Sequence, residues 1–378
     1  MLKKVCIEGY RSICDEQCIS IPGLTIIIGP NASGKTTVLE AITKLALLEK
    51  LTRSKEIDLR SVFDPNEINE YKGKAIITYF MDNTMYRFMW VKTNVEILVR
   101  PEDVPLPELP LVFPLIEIRQ MDPEDLENLR ANIRELRSRL ADVPVIKYFL
   151  HRSPMKASSV LKGLPDIESD DEFERVCANI LYNILGDEGL RNRLINELKY
   201  LGYDGINIEK KQDKLYLKVR DIASNKWVYL EYSADGLRYS LPFIVDLVVL
   251  DRQALFLIDD IELGLHPSVV IEIAKFFTNA VADGGLYAVI TTHSEVFLYS
   301  VILEVLKGTI SRDKVALYVA YRDEDGCTRY SRFEPTLPLQ VDKYALKALE
   351  RMGAMGIFEE ASKLIADVIR YYAERKRA

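Results

Sequence analysis

Apolar residues recur along this chain with two periods, and the places where one gives way to the other mark its elements. Val5 to Ile7 and Leu24 to Ile28 are short apolar runs separated by the turn formers Gly9-Tyr10-Arg11-Ser12 and Pro22-Gly23, which predicts two strands. From Thr36 to Leu51 the pattern changes: Val38, Leu39, Ile42, Leu45, Ala46 and Leu48 lie on one face of a helix. Residues 73–100 return to β-branched and aromatic types around Asp82-Asn83, which predicts an antiparallel hairpin or meander. A proline-rich stretch, Pro101 to Pro114, then leads into an expected strand from Leu115 to Ile118. Asp122-Pro123 offers an N-cap and a first-turn proline, and Leu126, Leu129, Ile133, Leu136 and Leu140 form one apolar stripe behind it.

That helix opens a mostly helical insert, with further helices expected at 171–185 and 188–201 and a hairpin at 205–232. Alternation of strand and helix then resumes: helix 236–251, strand Leu255 to Ile258, helix 268–282, strand Leu286 to Thr291, helix 294–306. Buried apolar strands alternating with helices imply a parallel sheet covered by helices. A strand pair, Val315 to Tyr321 and Thr328 to Phe333, and two helices at 341–352 and 357–374 complete the pattern. The expected division is a first lobe at 1–120, the insert at 121–230, a second lobe at 231–335 and C-terminal helices at 336–378.

Between the second strand and the first helix lies Gly29-Pro30-Asn31-Ala32-Ser33-Gly34-Lys35-Thr36-Thr37, which meets the pattern G-x-x-x-x-G-K-[ST] in the strand–loop–helix context it requires. The glycines let backbone N–H groups face phosphates, Lys35 reaches the β- and γ-phosphates of ATP, and the Thr36 hydroxyl suits Mg²⁺. A second motif is the apolar strand Leu255-Phe256-Leu257-Ile258, which ends in Asp259-Asp260. One carboxylate at such a strand end can hold hydrated magnesium, and its neighbour can orient or deprotonate an attacking water. His293, in Thr291-Thr292-His293-Ser294, ends another apolar strand, where an imidazole can meet the γ-phosphate or that water.

Composition narrows the partners rather than the fold. The chain of 378 residues is 48% hydrophobic and 28% charged, as soluble domains are, and is long enough for two or three sub-domains. A net charge of −7 disfavours global attraction to nucleic acid, so any DNA contact needs a local basic patch. Arg130, Arg134 and Arg137 supply one candidate, beside the apolar stripe of their helix. No run of eighteen apolar residues predicts a membrane span. The five cysteines are odd in number and scattered, and no signal peptide precedes them, so free thiols in a reducing cytoplasm are the simpler expectation. Cys14 and Cys18 as half of a metal site lack a second ligand pair.

Taken in order, these motifs resemble the ABC-type ATPases of the RecF, SMC and OLD kind. The residues that carry the resemblance are Ile7-Glu8-Gly9-Tyr10-Arg11-Ser12, the Walker A loop, Arg119-Gln120, Ser233-Ala234-Asp235-Gly236-Leu237-Arg238, Asp259-Asp260-Ile261-Glu262-Leu263-Gly264-Leu265-His266-Pro267, and Thr291-Thr292-His293-Ser294. They span residues 1 to about 300. The resemblance implies an α/β P-loop NTPase fold of the ABC-ATPase head type, two-lobed with a mostly helical insert. It further implies that Gln120 senses the nucleotide and joins the magnesium site with Thr36 and Asp259, and that Arg11 lies near the nucleotide. Ser233 and Gly236 would bind the γ-phosphate held by a second subunit, and His266 would reach across that dimer.

Two departures bear on hydrolysis: the catalytic glutamate position holds Asp260, and the signature reads Ser-Ala-Asp-Gly rather than Leu-Ser-Gly-Gly-Gln. Glu262 is an alternative base, ranked below Asp260. The first expectation is thus an ATP-driven, dimerising ATPase of DNA repair, genome maintenance or defence, with DNA, a separate nuclease or another protein as partner. The alternative is a slow or non-hydrolysing switch that recruits a protein partner. A transporter subunit is disfavoured by the signature and by Leu265-His266-Pro267.

Overall fold

The computed structural model describes residues 1–53, 59–101, 110–115, 123–140, 143, 145–149, 184–211, 214–249 and 254–336. Arg119-Gln120, residues 116–118 of the expected strand, most of the helix expected at 171–185 and both C-terminal helices lie outside that set.

In chain order the elements begin with β1 (Lys4–Glu8), β2 (Gln17–Ser20), β3 (Leu24–Ile28) and α1 (Lys35–Arg53). The meander β4 (Ala75–Phe80), β5 (Thr84–Trp90) and β6 (Asn94–Pro101) follows, then β7 (Leu111–Pro114), α2 (Pro123–Arg139) and β8 (Val145–Phe149). Next come α3 (Glu188–Lys199), the strands β9 (Tyr203–Lys211), β10 (Lys214–Asp221) and β11 (Lys226–Tyr229), and α4 (Asp235–Val249). The last are β12 (Ala254–Ile258), α5 (Pro267–Ala282), β13 (Leu286–Thr292), α6 (Glu295–Leu306), β14 (Val315–Arg322) and β15 (Thr328–Phe333).

A central sheet in the order β15-β14-β3-β13-β12-β8 divides the described residues into two cores. Its strands from β14 to β8 are parallel, and β15 turns back antiparallel at the edge. Because side chains alternate across a strand, Leu255 and Leu257 of β12 enter one core and Ala254, Phe256 and Ile258 the other. The first core lies between the central sheet, α1, α2 and an antiparallel sheet ordered β2-β1-β4-β5-β6-β7. The second is filled by α3 to α6 and a small sheet ordered β11-β10-β9.

Several expectations need adjusting. Inside the proline-rich stretch, Leu111–Pro114 forms an unexpected strand that pairs as the last strand of the meander, while residues 116–118 of the strand expected after it lie outside the described residues. β2 had no strong apolar run, since only one face of Gln17–Ser20 is buried. The helix α2 buries Leu129, Ile133, Leu136 and Leu140 in the first core, while β8 forms the edge of the central sheet. Pro123–Arg139 and Val145–Phe149, which the division at 120 assigns to the insert, thus pack against and extend the central sheet.

The cysteine expectation is corrected. Cys6 pairs with Cys18 across the β1–β2 ladder, and Cys14 pairs with Cys327, which is 313 residues away in sequence. Tertiary proximity decides this pairing, and the same two bonds remove Cys14 and Cys18 as metal ligands. Among the described residues no helix is long and apolar enough to cross a membrane.

Candidate functional site: a phosphate loop between three strand ends

Parallel registry assembles the site. Ile28 of β3 pairs with Thr292 of β13, and Ile258 of β12 pairs with Ile290, so the loop at 29–34, Asp259 and Thr291 to His293 meet at the carboxyl ends of three adjacent strands. Ligands of open α/β sheets sit at such ends. In the loop, Ala32 and Gly34 take left-handed φ values of 58° and 96°. At Gly34 a Cβ would also lie 2.6 Å from the Thr328 hydroxyl, so both backbone and packing require glycine there.

Thr36, at the start of α1, donates its hydroxyl to both Asp259 oxygens at 3.0 and 3.1 Å, and Thr291 donates to Asp259 Oδ1 at 2.6 Å. The Thr291 hydroxyl also accepts the Asp260 N–H at 2.9 Å. Asp259 is therefore aimed at the residue expected to share a divalent cation with it. A carboxylate and a threonine hydroxyl form the hard oxygen donor set that magnesium takes. Ser33 Oγ is buried with no hydrogen-bond partner among the described residues, a further polar group in the loop that suits a phosphate ligand.

Lys35 is 5% exposed, with its ammonium 2.9 Å from the Pro30 carbonyl and 2.8 Å from His293 Nε2. Burial lowers its pKa, against the opposing pull of Asp260, Asp259 and Glu262. Burial also lowers the His293 pKa, reinforced by the Lys35 charge, so the imidazole is held neutral with Nε2 accepting from Lys35. Asp260 Oδ1 stands 3.4 Å from the same nitrogen, and its pKa is raised by burial and then by Asp259. Lys35, His293 and Asp260 thus form one electrostatic unit.

Glu262 is engaged differently. Its two oxygens accept from the Thr292 hydroxyl and the His293 N–H, both at 2.6 Å. This arrangement fixes the backbone that carries His293 and occupies both Glu262 oxygens, whereas Asp260 faces the His293 ring. Arg11, with φ 50°, donates to Glu40 and, at 2.8 Å, to Glu67. Glu40 lies on α1, one turn beyond the loop, which brings Arg11 close to the loop's helix but commits its guanidinium to carboxylates.

Ser233 and Gly236 lie at the start of α4, and α4 packs in the second core whereas α1 packs in the first. Ser233 donates to the Leu230 carbonyl at 2.7 Å, and Gly236 packs so closely that a Cβ would lie 2.6 Å from the Gly264 carbonyl. The signature is thereby joined to the segment after Asp259. His266 is the N-cap of α5, its exposed ring bonded to Ser268 at 2.8 Å. Gln120 lies outside the described residues.

Sequence reasoning missed the supports of this site. Thr291 and Thr292 stood inside a quoted motif, and two hydroxyls beside a strand-end acid were the available signal. Three more supports come from β14–β15: Arg322 donates to the Ala32 carbonyl at 2.9 Å, Thr328 to Ser33 at 3.1 Å and Tyr330 to Gly34 at 2.7 Å. Nothing local announces residues that act on a loop nearly 300 positions away.

Fold and site together define a P-loop protein of the ABC-ATPase head class, similar to SMC and Rad50 heads. Residues 4–141 match the AAA domain family, and residues 178–298 match a second family, "AAA domain, putative AbiEii toxin, Type IV TA system". The chain is 31% identical over 87 residues to the chromosome partition protein Smc of Desulfitobacterium hafniense, covering 22% of this chain and 7% of that one. It is 46% identical over 54 residues to the DNA double-strand break repair Rad50 ATPase of Methanopyrus kandleri, covering 14% of this chain and 6% of that one. The chain thus spans under a tenth of the length of the curated relatives it matches. An Smc head solved with the C-terminal winged-helix domain of ScpA superposes with TM-score 0.54 at 13% identity, covering 88% of this chain and 98% of that one. An Smc head with an extended coiled coil, solved with the C-terminal domain of ScpA from Pyrococcus furiosus, gives 0.50 at 14% identity, covering 96% and 99%.

Proposed function

We propose that this chain binds and hydrolyses ATP with magnesium, that bound ATP joins two heads, and that the cycle serves DNA repair, genome maintenance or defence from the cytoplasm. The observation that carries the reading is the convergence of Lys35, Thr36, Asp259, Asp260 and His293 at three strand ends, with Thr36 bonded to Asp259 and Lys35 to His293. Thr36 and Asp259 would hold magnesium, which when bound neutralises charge on the β- and γ-phosphates. Lys35 binds phosphate oxygens, and Asp260, beside the His293 ring, can accept a hydrogen bond from the attacking water.

Dimerisation draws on the resemblance of the Ser233 to Gly236 turn to a signature that meets nucleotide held by a second subunit; here that turn starts α4 in the second core, whereas the loop's helix α1 packs in the first. The DNA role draws on the likeness to Smc and Rad50. Arg130, Arg134 and Arg137 are exposed on α2 and offer a modest phosphate surface. The division into two lobes and an insert, a role for Gln120 at the metal, and a separate nuclease or other protein partner belong to the same proposal.

A slow or non-hydrolysing switch is the second reading, favoured by the short Asp260 carboxylate. A steady-state ATPase assay separates the two, with and without duplex DNA, alongside nucleotide binding. Magnesium-dependent turnover that Lys35→Ala and Asp260→Asn both abolish supports the enzyme. Retained binding without turnover supports the switch, and absence of nucleotide binding by the parent protein removes both.

A further inference from the structure

Peptide planes in a phosphate loop can face a ligand with their N–H groups only if their carbonyls are held elsewhere. Here three successive carbonyls, those of Ala32, Ser33 and Gly34, are held by Arg322, Thr328 and Tyr330 of the β14–β15 hairpin. The Thr328 side chain is buried and bonds Ser12 Oγ at 2.8 Å, while its N–H bonds the Ser12 carbonyl at 2.7 Å. One residue earlier, Cys327 is joined to Cys14, two residues beyond Ser12. Around that bond Arg329 pairs with both Asp323 and Asp15 at 2.7 Å, and the Tyr330 N–H reaches Gln17 at 3.1 Å. The hairpin is therefore fastened to the 12–17 segment by a covalent bond lying next to the side chain that touches the loop.

We propose that Arg322, Thr328 and Tyr330 are positioning residues for the phosphate loop, and that the Cys14–Cys327 disulfide latches them so that thiol–disulfide state sets nucleotide affinity. The latch closes when two thiols lose two protons and two electrons to a disulfide oxidant. It opens by exchange with a dithiol, which leaves as its own disulfide. The inference rests on the ATP-binding reading for its affinity readout only.

The test compares oxidised protein, protein reduced with dithiothreitol and a Cys14→Ser/Cys327→Ser variant, with Cys6→Ser/Cys18→Ser as the control for the other disulfide. A fluorescent ATP analogue reports Kd, thiol-counting mass spectrometry reports redox state, and hydrogen exchange reports the amides of residues 29–37 without nucleotide. Opening the latch is expected to speed exchange in those amides and weaken Kd on the order of tenfold, the scale of one or two hydrogen bonds. The control should do neither. Thr328→Val should reproduce the effect and Thr328→Ser should restore it. Unchanged loop exchange in the reduced and latch-variant proteins, or free Cys14 and Cys327 thiols in air-oxidised folded protein, overturns the proposal. Faster exchange with no nucleotide binding in any state would uphold the latch and remove the ATP reading instead.

Discussion

At Asp260 the backbone and the chemistry make different demands. Its φ of 45° lies in the left-handed region, where aspartate is accommodated better than most residues. Glutamate would reach one methylene further toward an in-line water, and a misplacement of about 1 Å can slow catalysis on the order of 100-fold. Asp260→Glu is therefore expected to raise kcat about tenfold or more at similar KM, with a slightly lower melting temperature; an equal or lower kcat would show that carboxylate reach is not limiting. Glu262 makes the opposite case. Since it holds Thr292 and the His293 N–H, Glu262→Ala should depress kcat while leaving nucleotide Kd within a few-fold, as equilibrium binding and single-turnover rates would reveal. Equal losses in Kd and kcat would assign Glu262 to general folding rather than to His293.

Among the elements, α4 and β8 are linked by a charge inside the fold. Asp246 is 4% exposed and pairs with Lys147 at 3.1 Å. Burial raises its carboxyl pKa, against the opposing effect of Lys147. An acid whose folded value exceeds its unfolded one subtracts stability in full above the folded value, and that penalty fades as pH falls from the folded value toward the unfolded one near 3.9. Asp246→Asn removes this dependence, so its stability relative to the parent should be higher at pH 7 than at pH 4 in urea melts. A difference that does not vary with pH would mean that the Lys147 pair already compensates for burial. Periodicity made α1, α4, α5, α6 and the buried strands legible within a few residues, because each presents an apolar face of regular spacing. It could not place β2, whose pairing comes from β1, nor show that α2 joins the first core.

For the whole molecule, the ATP-joined dimer is the central expectation. Light scattering of Asp260→Asn should show a doubling of mass with ATP and magnesium. Adding Gly236→Ala should prevent the doubling while each monomer still binds nucleotide, since a Cβ there meets the Gly264 carbonyl at 2.6 Å and displaces the signature. Monomers at high concentration with ATP would remove the head-to-head reading. By itself the sequence determined the phosphate loop, the acidic strand end and the histidine strand end, because each is written in contiguous residues whose local geometry follows from their types. Only the tertiary structure decided which of two acids faces Lys35 and His293, which cysteines pair, and that a hairpin beyond residue 314 holds the loop's carbonyls. Those outcomes depend on strand order and registry, which bring distant residues within bonding distance and which no local pattern encodes.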